Sequence, residues 1–272
     1  MNADHRSPAP QATPPWQRVP TRQADLGGGL RIARALPTTT RRRVGAWCFL
    51  DHAGPMQFAG GQGMRVGPHP HIGLQTFTWM IEGEVLHNDS LGNRQVIRPG
   101  EVNLMTAGRG IAHSEESVGD HGVVHAAQLW IALPDAQRDG EPAFVHHAAL
   151  PMAHADGFRA TVLAGRALDQ SSPVQLFSEL VGVDLTAERA ARTRVDLEPR
   201  FEHALLCLRG TARVNVVPGT SPKRRPAFQS AAACSISSAL RPTKFHHISS
   251  GSSNGVPPIS SSCAGASHAS ST

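Results

Sequence analysis

The sequence predicts an all-β protein, and three observations lead there. Gly (26 residues) and Pro (21 residues) are frequent, which suits a turn-rich chain better than a helix bundle. From about Val19 to Pro134, short apolar runs alternate with Gly, Pro and Asn turn signals, the pattern of a barrel or sandwich of short strands. Hydrophobic residues make up 40% of the 272, enough for a buried core, yet no run of about 18 apolar residues is present to cross a membrane.

The segments follow in order. Residues 1–18 are Pro-rich and lack the apolar centre of a secretory signal, so a disordered leader on a cytoplasmic protein is expected. A first β barrel is expected over residues 19–148. Within it, Arg98-Pro99-Gly100-Glu101 places Pro and Gly as a type II turn requires, and Leu91-Gly92-Asn93 is a second turn. Val123 to Leu133 reads as a buried strand stopped by Pro134. Residues 144–163 read as a less regular bridge. A second β unit over 149–217 is expected from a strand-like run, Phe177 to Leu185, and from a hairpin over 201–217 turning at Arg209-Gly210-Thr211. From Pro218 the texture changes. Residues 219–272 hold 15 Ser, no acid and both lysines, with no sustained period, so a disordered tail over 218–272 is expected, of the kind a shifted reading frame would leave.

The charge balance argues against a nucleic-acid surface. The net charge is +5, but no Asp or Glu follows Glu202 and seven of the 26 basic residues do. Residues 1–202 carry 19 basic and 21 acidic side chains. The basic excess therefore belongs to the end of the chain rather than to a patch on the barrel. Cys48, Cys207, Cys234 and Cys263 are scattered with no CxxC pair, which supports neither a thiolate zinc site nor a disulfide framework.

The chemistry-bearing segment is Gly67-Pro68-His69-Pro70-His71-Ile72-Gly73. In a strand, residues i and i+2 leave from one face, so His69 and His71 can point together into a barrel. Pro70 then lies on the other face, at a strand edge where its missing N–H does no harm. Phe77, Trp79 and Ile81 share the parity of the pair and are expected to line the same interior. The second segment is Met105-Thr106-Ala107-Gly108-Arg109-Gly110-Ile111-Ala112-His113-Ser114-Glu115, with His113 and Glu115 again at i, i+2 after two glycines that permit a tight loop. Three imidazoles and one carboxylate suit Fe(II), Mn(II), Ni(II) or Cu(II), and four protein ligands leave up to two octahedral positions for a guest. The remaining histidines, among them His87 and His125, show no paired spacing of this kind.

These segments resemble the pirin family. The resemblance rests on HPHIGLQTFTWMIEGEVLHNDSLGN, RPGEVNLMTAGRGIAHSEE and QLWIALP, present together and in order, and it extends over roughly residues 19–217. It implies two stacked cupin (double-stranded β-helix, jelly-roll) barrels, a bicupin, with the metal in the N-terminal one. The C-terminal barrel would be incomplete here, since the pattern is lost after Val217. It also implies that His69, His71, His113 and Glu115 are the metal ligands and that iron is the usual metal, with Mn, Ni, Cu, Co or Zn as substitutes.

Two functions are compatible with that resemblance. One is a quercetin 2,3-dioxygenase-type enzyme that opens a flavonol-like small aromatic with O2, Glu115 serving as both ligand and general base. The other is a non-catalytic iron- or redox-sensing protein read by a transcription factor or metabolic enzyme. Neither involves direct contact with nucleic acid or a membrane.

Overall fold

The computed structural model describes residues 17–26, 30–214, 230–238 and 259–262. Every regular element among them is a strand, and none is a helix. The first eleven strands are β1 (Arg22–Asp25), β2 (Arg31–Leu36), β3 (Trp47–Phe58), β4 (Arg65–His71), β5 (Leu74–Glu82), β6 (Val85–Asp89), β7 (Arg94–Ile97), β8 (Val102–Thr106), β9 (Ile111–Ser117), β10 (Gly122–Ala132) and β11 (Ala143–His147). They form two sheets, a seven-stranded one ordered β1-β2-β3-β10-β5-β8-β11 and a four-stranded one ordered β4-β9-β6-β7. From β3 to β10 the chain crosses between the two sheets at every step except β6 to β7, as in an all-β cupin fold.

The turn residues act as the sequence indicates. Gly100 takes φ +87° and the Glu101 N–H bonds the Arg98 carbonyl at 3.0 Å, which closes the type II turn. Gly92 (φ +87°) turns β6 into β7 beside Asn93. The edge position of β4 accommodates Pro70, which is exposed. β10 stops at Ala132, two residues short of Pro134.

Alternation along β5 gives it two buried faces. Met80 packs with Leu30, Ile32, Ala53, Val85, Ile97, Val124 and Ala126 between the two sheets, so its side of β5 is the barrel interior. Phe77 and Trp79 lie on the other side with Trp47, Leu50, Leu129 and Ile131, against Leu163, Ala164 and Leu180 of the second unit. The rings of Trp47 and Phe77 meet edge to face at 5.7 Å there.

This corrects the expectation that Phe77, Trp79 and Ile81 share the face of His69 and His71. Parity holds only within an unbroken strand. β4 ends at His71, Gly73 turns with φ +68°, and β5 resumes at Leu74 in the other sheet.

The stretch expected as a less regular bridge is built of strands. Residues 143–164 hold β11, β12 (Met152–Ala155) and β13 (Phe158–Ala164), not an irregular bridge. The remaining strands are β14 (Arg166–Ala167), β15 (Gln170–Ser171), β16 (Leu180–Ala187), β17 (Phe201–Cys207), β18 (Thr211–Val214), β19 (Ser230–Ser238) and β20 (Ile259–Ser262). A five-stranded sheet runs β12-β13-β16-β19-β17.

The turn expected near Gly210 is present (φ +81°), but among the described residues its two arms, β17 and β18, lie in different sheets and form no hairpin. β17 pairs in parallel with β19, and β18 pairs with β20. A reversal of direction needs no pairing where the two arms enter different sheets. Of the Ser-rich end, only β19 and β20 are described, and the rest of 218–272 lies outside the described residues, as does the leader up to residue 16.

Candidate metal centre

Neighbouring strands of the four-stranded sheet bring the two sequence pairs together. β4 and β9 are antiparallel with His69 opposite His113, and i, i+2 spacing then sets His71 and Glu115 on the same inner face. A register shift between Val66 and His69 lets the Gly67-Pro68 segment bow outward. A cavity of about 240 Å3, lined by Arg65, Val66, Gly67, Pro68, Ser114, Glu115 and Glu116, opens there.

The start of β9 is pinned by backbone bonds from Ala107 N–H to Leu74 O (2.8 Å), Gly73 N–H to Gly108 O (2.8 Å) and Arg109 N–H to Gly140 O (2.9 Å). Gly108 (φ +51°) sits so close to Gly140 that an added Cβ would stand 2.1 Å from its carbonyl oxygen. This is the tight loop that the two glycines predict.

Ligating atoms of His69, His71 and His113 all lie within 4.8 Å of one another, and so do those of His87, His113 and Glu115. His113 belongs to both groups. The Nε2 atoms of His71 and His113 face each other at 3.1 Å. His69 donates from Nδ1 to the Gly67 carbonyl at 2.9 Å, which leaves its Nε2 bare for a ligand.

The electrostatics fit a cation. Burial, with the neighbouring His69, holds His71 down to about 4. Burial together with His69, His87 and His71 holds His113 down to about 3. Both imidazoles are thus neutral at neutral pH, the state that coordinates a metal. Burial pushes the Glu115 carboxyl up to about 7, against a smaller pull from the Thr78 hydroxyl. Two imidazole nitrogens 3.1 Å apart beside a carboxyl whose charged form burial disfavours are groups that a cation between them would relieve.

Sequence reasoning missed three contributors. His87 on β6 is buried, 3.3 Å from His113 through the two Nδ1 atoms. Its signal is a third i, i+2 pair, His87 and Asp89, within β6. Trp130 and Phe49 face the site as well. They are opposed in register, stack at 3.9 Å, and Trp130 meets His71 edge-on at 5.0 Å. Arg34 lies over Phe49 and forms a two-pronged ion pair with Asp51 at 2.8 and 2.7 Å. Thr78 and Gln128 (2.7 Å apart) bridge the seven-stranded sheet towards Glu115. His125, by contrast, pairs with His52 at 2.8 Å away from the centre.

Comparison with known proteins bears on the family and the fold. Residues 29–131 match the pirin family. A Pseudomonas aeruginosa protein whose name gives it as a putative quercetin 2,3-dioxygenase is 58% identical over 198 residues, 73% of this chain and 63% of that one. A pirin-like protein of Caulobacter vibrioides is 44% identical over 167 residues, 58% of each chain. The crystal structure of a quercetin 2,3-dioxygenase from Acinetobacter baumannii superposes with a TM-score of 0.65 at 56% identity, covering 66% of this chain and 60% of that one. Residues 29–131 thus carry a pirin domain, and the fold is an all-β cupin fold. The chain spans about three fifths of the length of these relatives.

Proposed function

We propose that His69, His71, His113 and Glu115 hold one divalent first-row metal, Fe(II) foremost, and that the centre is a dioxygenase site for a flavonol-like aromatic. The observation that carries this reading is the clustering of the His69, His71 and His113 ligating atoms within 4.8 Å of one another, with Glu115 beside the shared His113. When bound, such a cation supplies Lewis acidity and a partner for O2.

The side chains supply the rest. The Trp130–Phe49 stack gives a flat apolar wall against which an aromatic guest can lie. With its carboxyl near neutrality, Glu115 can take the proton of a substrate hydroxyl at a carboxylate oxygen. Thr78 and Gln128 hold that carboxylate's side of the barrel in place. Phe77 and Trp79 take no part in the wall, because they face the second unit.

Aerobic incubation of the iron-loaded protein with quercetin tests the reading. Loss of the flavonol absorbance, with O2 uptake, is expected. Full iron occupancy with no quercetin consumption contradicts it.

A second reading keeps the metal and dispenses with turnover. Ile72, one residue from His71, is 66% exposed. A loop tied to a ligand and presenting an apolar side chain is a surface that a partner protein could read. The same quercetin assay separates the two readings.

A further inference from the structure

His113 is held from behind by a chain of buried groups that ends in a carboxylate. On adjacent strands β6 and β9, Asp89 lies opposite His113 and His87 opposite Glu115, so all four side chains share the inner face. The side chains of His87 and Asp89 are 3% and 0% exposed. His87 lies flat on Phe144, ring centroids 4.4 Å apart, which fixes its plane.

Two contacts connect the groups in line. His113 Nδ1 is 3.3 Å from His87 Nδ1, and His87 Nε2 is 3.2 Å from Asp89 Oδ2. Asp89 also accepts from the Leu91 N–H (2.9 Å), the Asn93 N–H (3.1 Å) and the Asn93 side-chain amide (3.0 and 3.1 Å).

Proton positions follow from which atoms can only accept. A carboxylate has no proton to give, so His87 Nε2 must carry the hydrogen that it shares with Asp89. A neutral imidazole has one N–H, so His87 Nδ1 is then bare and accepts. His113 must donate to it from Nδ1, which strips His113 Nε2 of its hydrogen. That Nε2 is the atom facing His71 Nε2 at 3.1 Å. Both nitrogens of His87 are thereby occupied, which sets it behind the metal rather than on it.

We propose that Asp89 and His87 are positioning residues that fix the tautomer of His113 and so preset its Nε2 as a ligand. The inference deepens the metal-centre reading and rests on it. The arrangement is a carboxylate–histidine–ligand triad lengthened by one imidazole, and partners of this kind typically change metal affinity by about 10- to 100-fold.

The first test needs no metal. In protein labelled with 15N at histidine, long-range 1H–15N correlation of the apo form at neutral pH reads each tautomer. His113 is expected as Nδ1–H and His87 as Nε2–H, and His113 found as Nε2–H overturns the proposal. Asp89→Asn is nearly isosteric, and its two backbone donors hold the amide oxygen. Its NH2 then points at His87, so every proton in the chain reverses and His113 becomes Nε2–H.

Cobalt(II) titration should show affinity lowered about 10- to 100-fold in Asp89→Asn and in His87→Leu. His87→Asn places an amide oxygen where Nδ1 was and should keep both the His113 tautomer and the affinity. A structural role alone would weaken His87→Asn and His87→Leu alike, and that result overturns the proposal. The expected tautomers in a parent protein that binds no cobalt would support the proton order and overturn the metal-centre reading instead.

Discussion

Four histidines, His71, His87, His113 and His125, are buried among the described residues and His52 is half-buried; an imidazole kept neutral by burial costs the fold stability in acid. His52 and His125 show this apart from the metal centre. Burial with the nearby Arg209 charge holds His52 down to about 4. Burial with His52 and Arg209 holds His125 down to about 3. An unfolded imidazole takes up its proton near 6.5, so below that pH the unfolded chain binds more protons than the folded one. Stability is therefore undiminished above about 6.5 and falls as pH drops towards 4 and 3, by up to about 1.4 kcal/mol per pH unit for each group. Melting temperature followed from pH 7 to 4 should fall, and His125→Gln should flatten that slope; an unaltered slope contradicts the assignment. At the loop before β9, Gly108→Ala puts a methyl group against the Gly140 carbonyl at positive φ. A loss of about 2–4 kcal/mol in urea unfolding is expected, and a parent-like midpoint would show that the loop has room to move.

Strands β5 and β10 each serve two cores, and substitutions should divide by face. Trp79 lies on the outer face with Trp47 and Leu163, so Trp79→Ala should cost about 3–5 kcal/mol of stability while leaving metal content unchanged. Trp130 lies on the inner face beside His71, so Trp130→Ala should retain the metal but raise KM for a flavonol. Metal loss in Trp79→Ala but not in a control of equal stability would reverse the assignment of faces. The two His-x-His/Glu pairs were legible in the sequence because each lies within one strand, where alternation is strict. The face of Phe77 and Trp79 was not, because one glycine between β4 and β5 moves the chain to the other sheet. His87 is harder to read, because a lone His-x-Asp within one strand also describes an ordinary local contact, and only the fold sets His87 3.3 Å from His113.

At the scale of the whole chain, the strand-rich texture and the turns at Gly92 and Gly100 identified an all-β fold without long-range information. Sheet order and the parallel pairing of β17 with β19 depend on which distant segments meet, and no local pattern encodes that. The two units share a core through Trp47, Phe77, Leu129, Leu163 and Leu180, so the first barrel's outer face is completed by the second unit while its inner face holds the histidine cluster.

The account depends on a cation at the meeting point of β4 and β9. The direct measurement is transition-metal content by elemental analysis, on purified protein and again after anaerobic reconstitution, beside His71→Ala. One ion per chain in the parent and close to none in the variant is the predicted result. A folded parent protein that takes up no stoichiometric transition metal would contradict it.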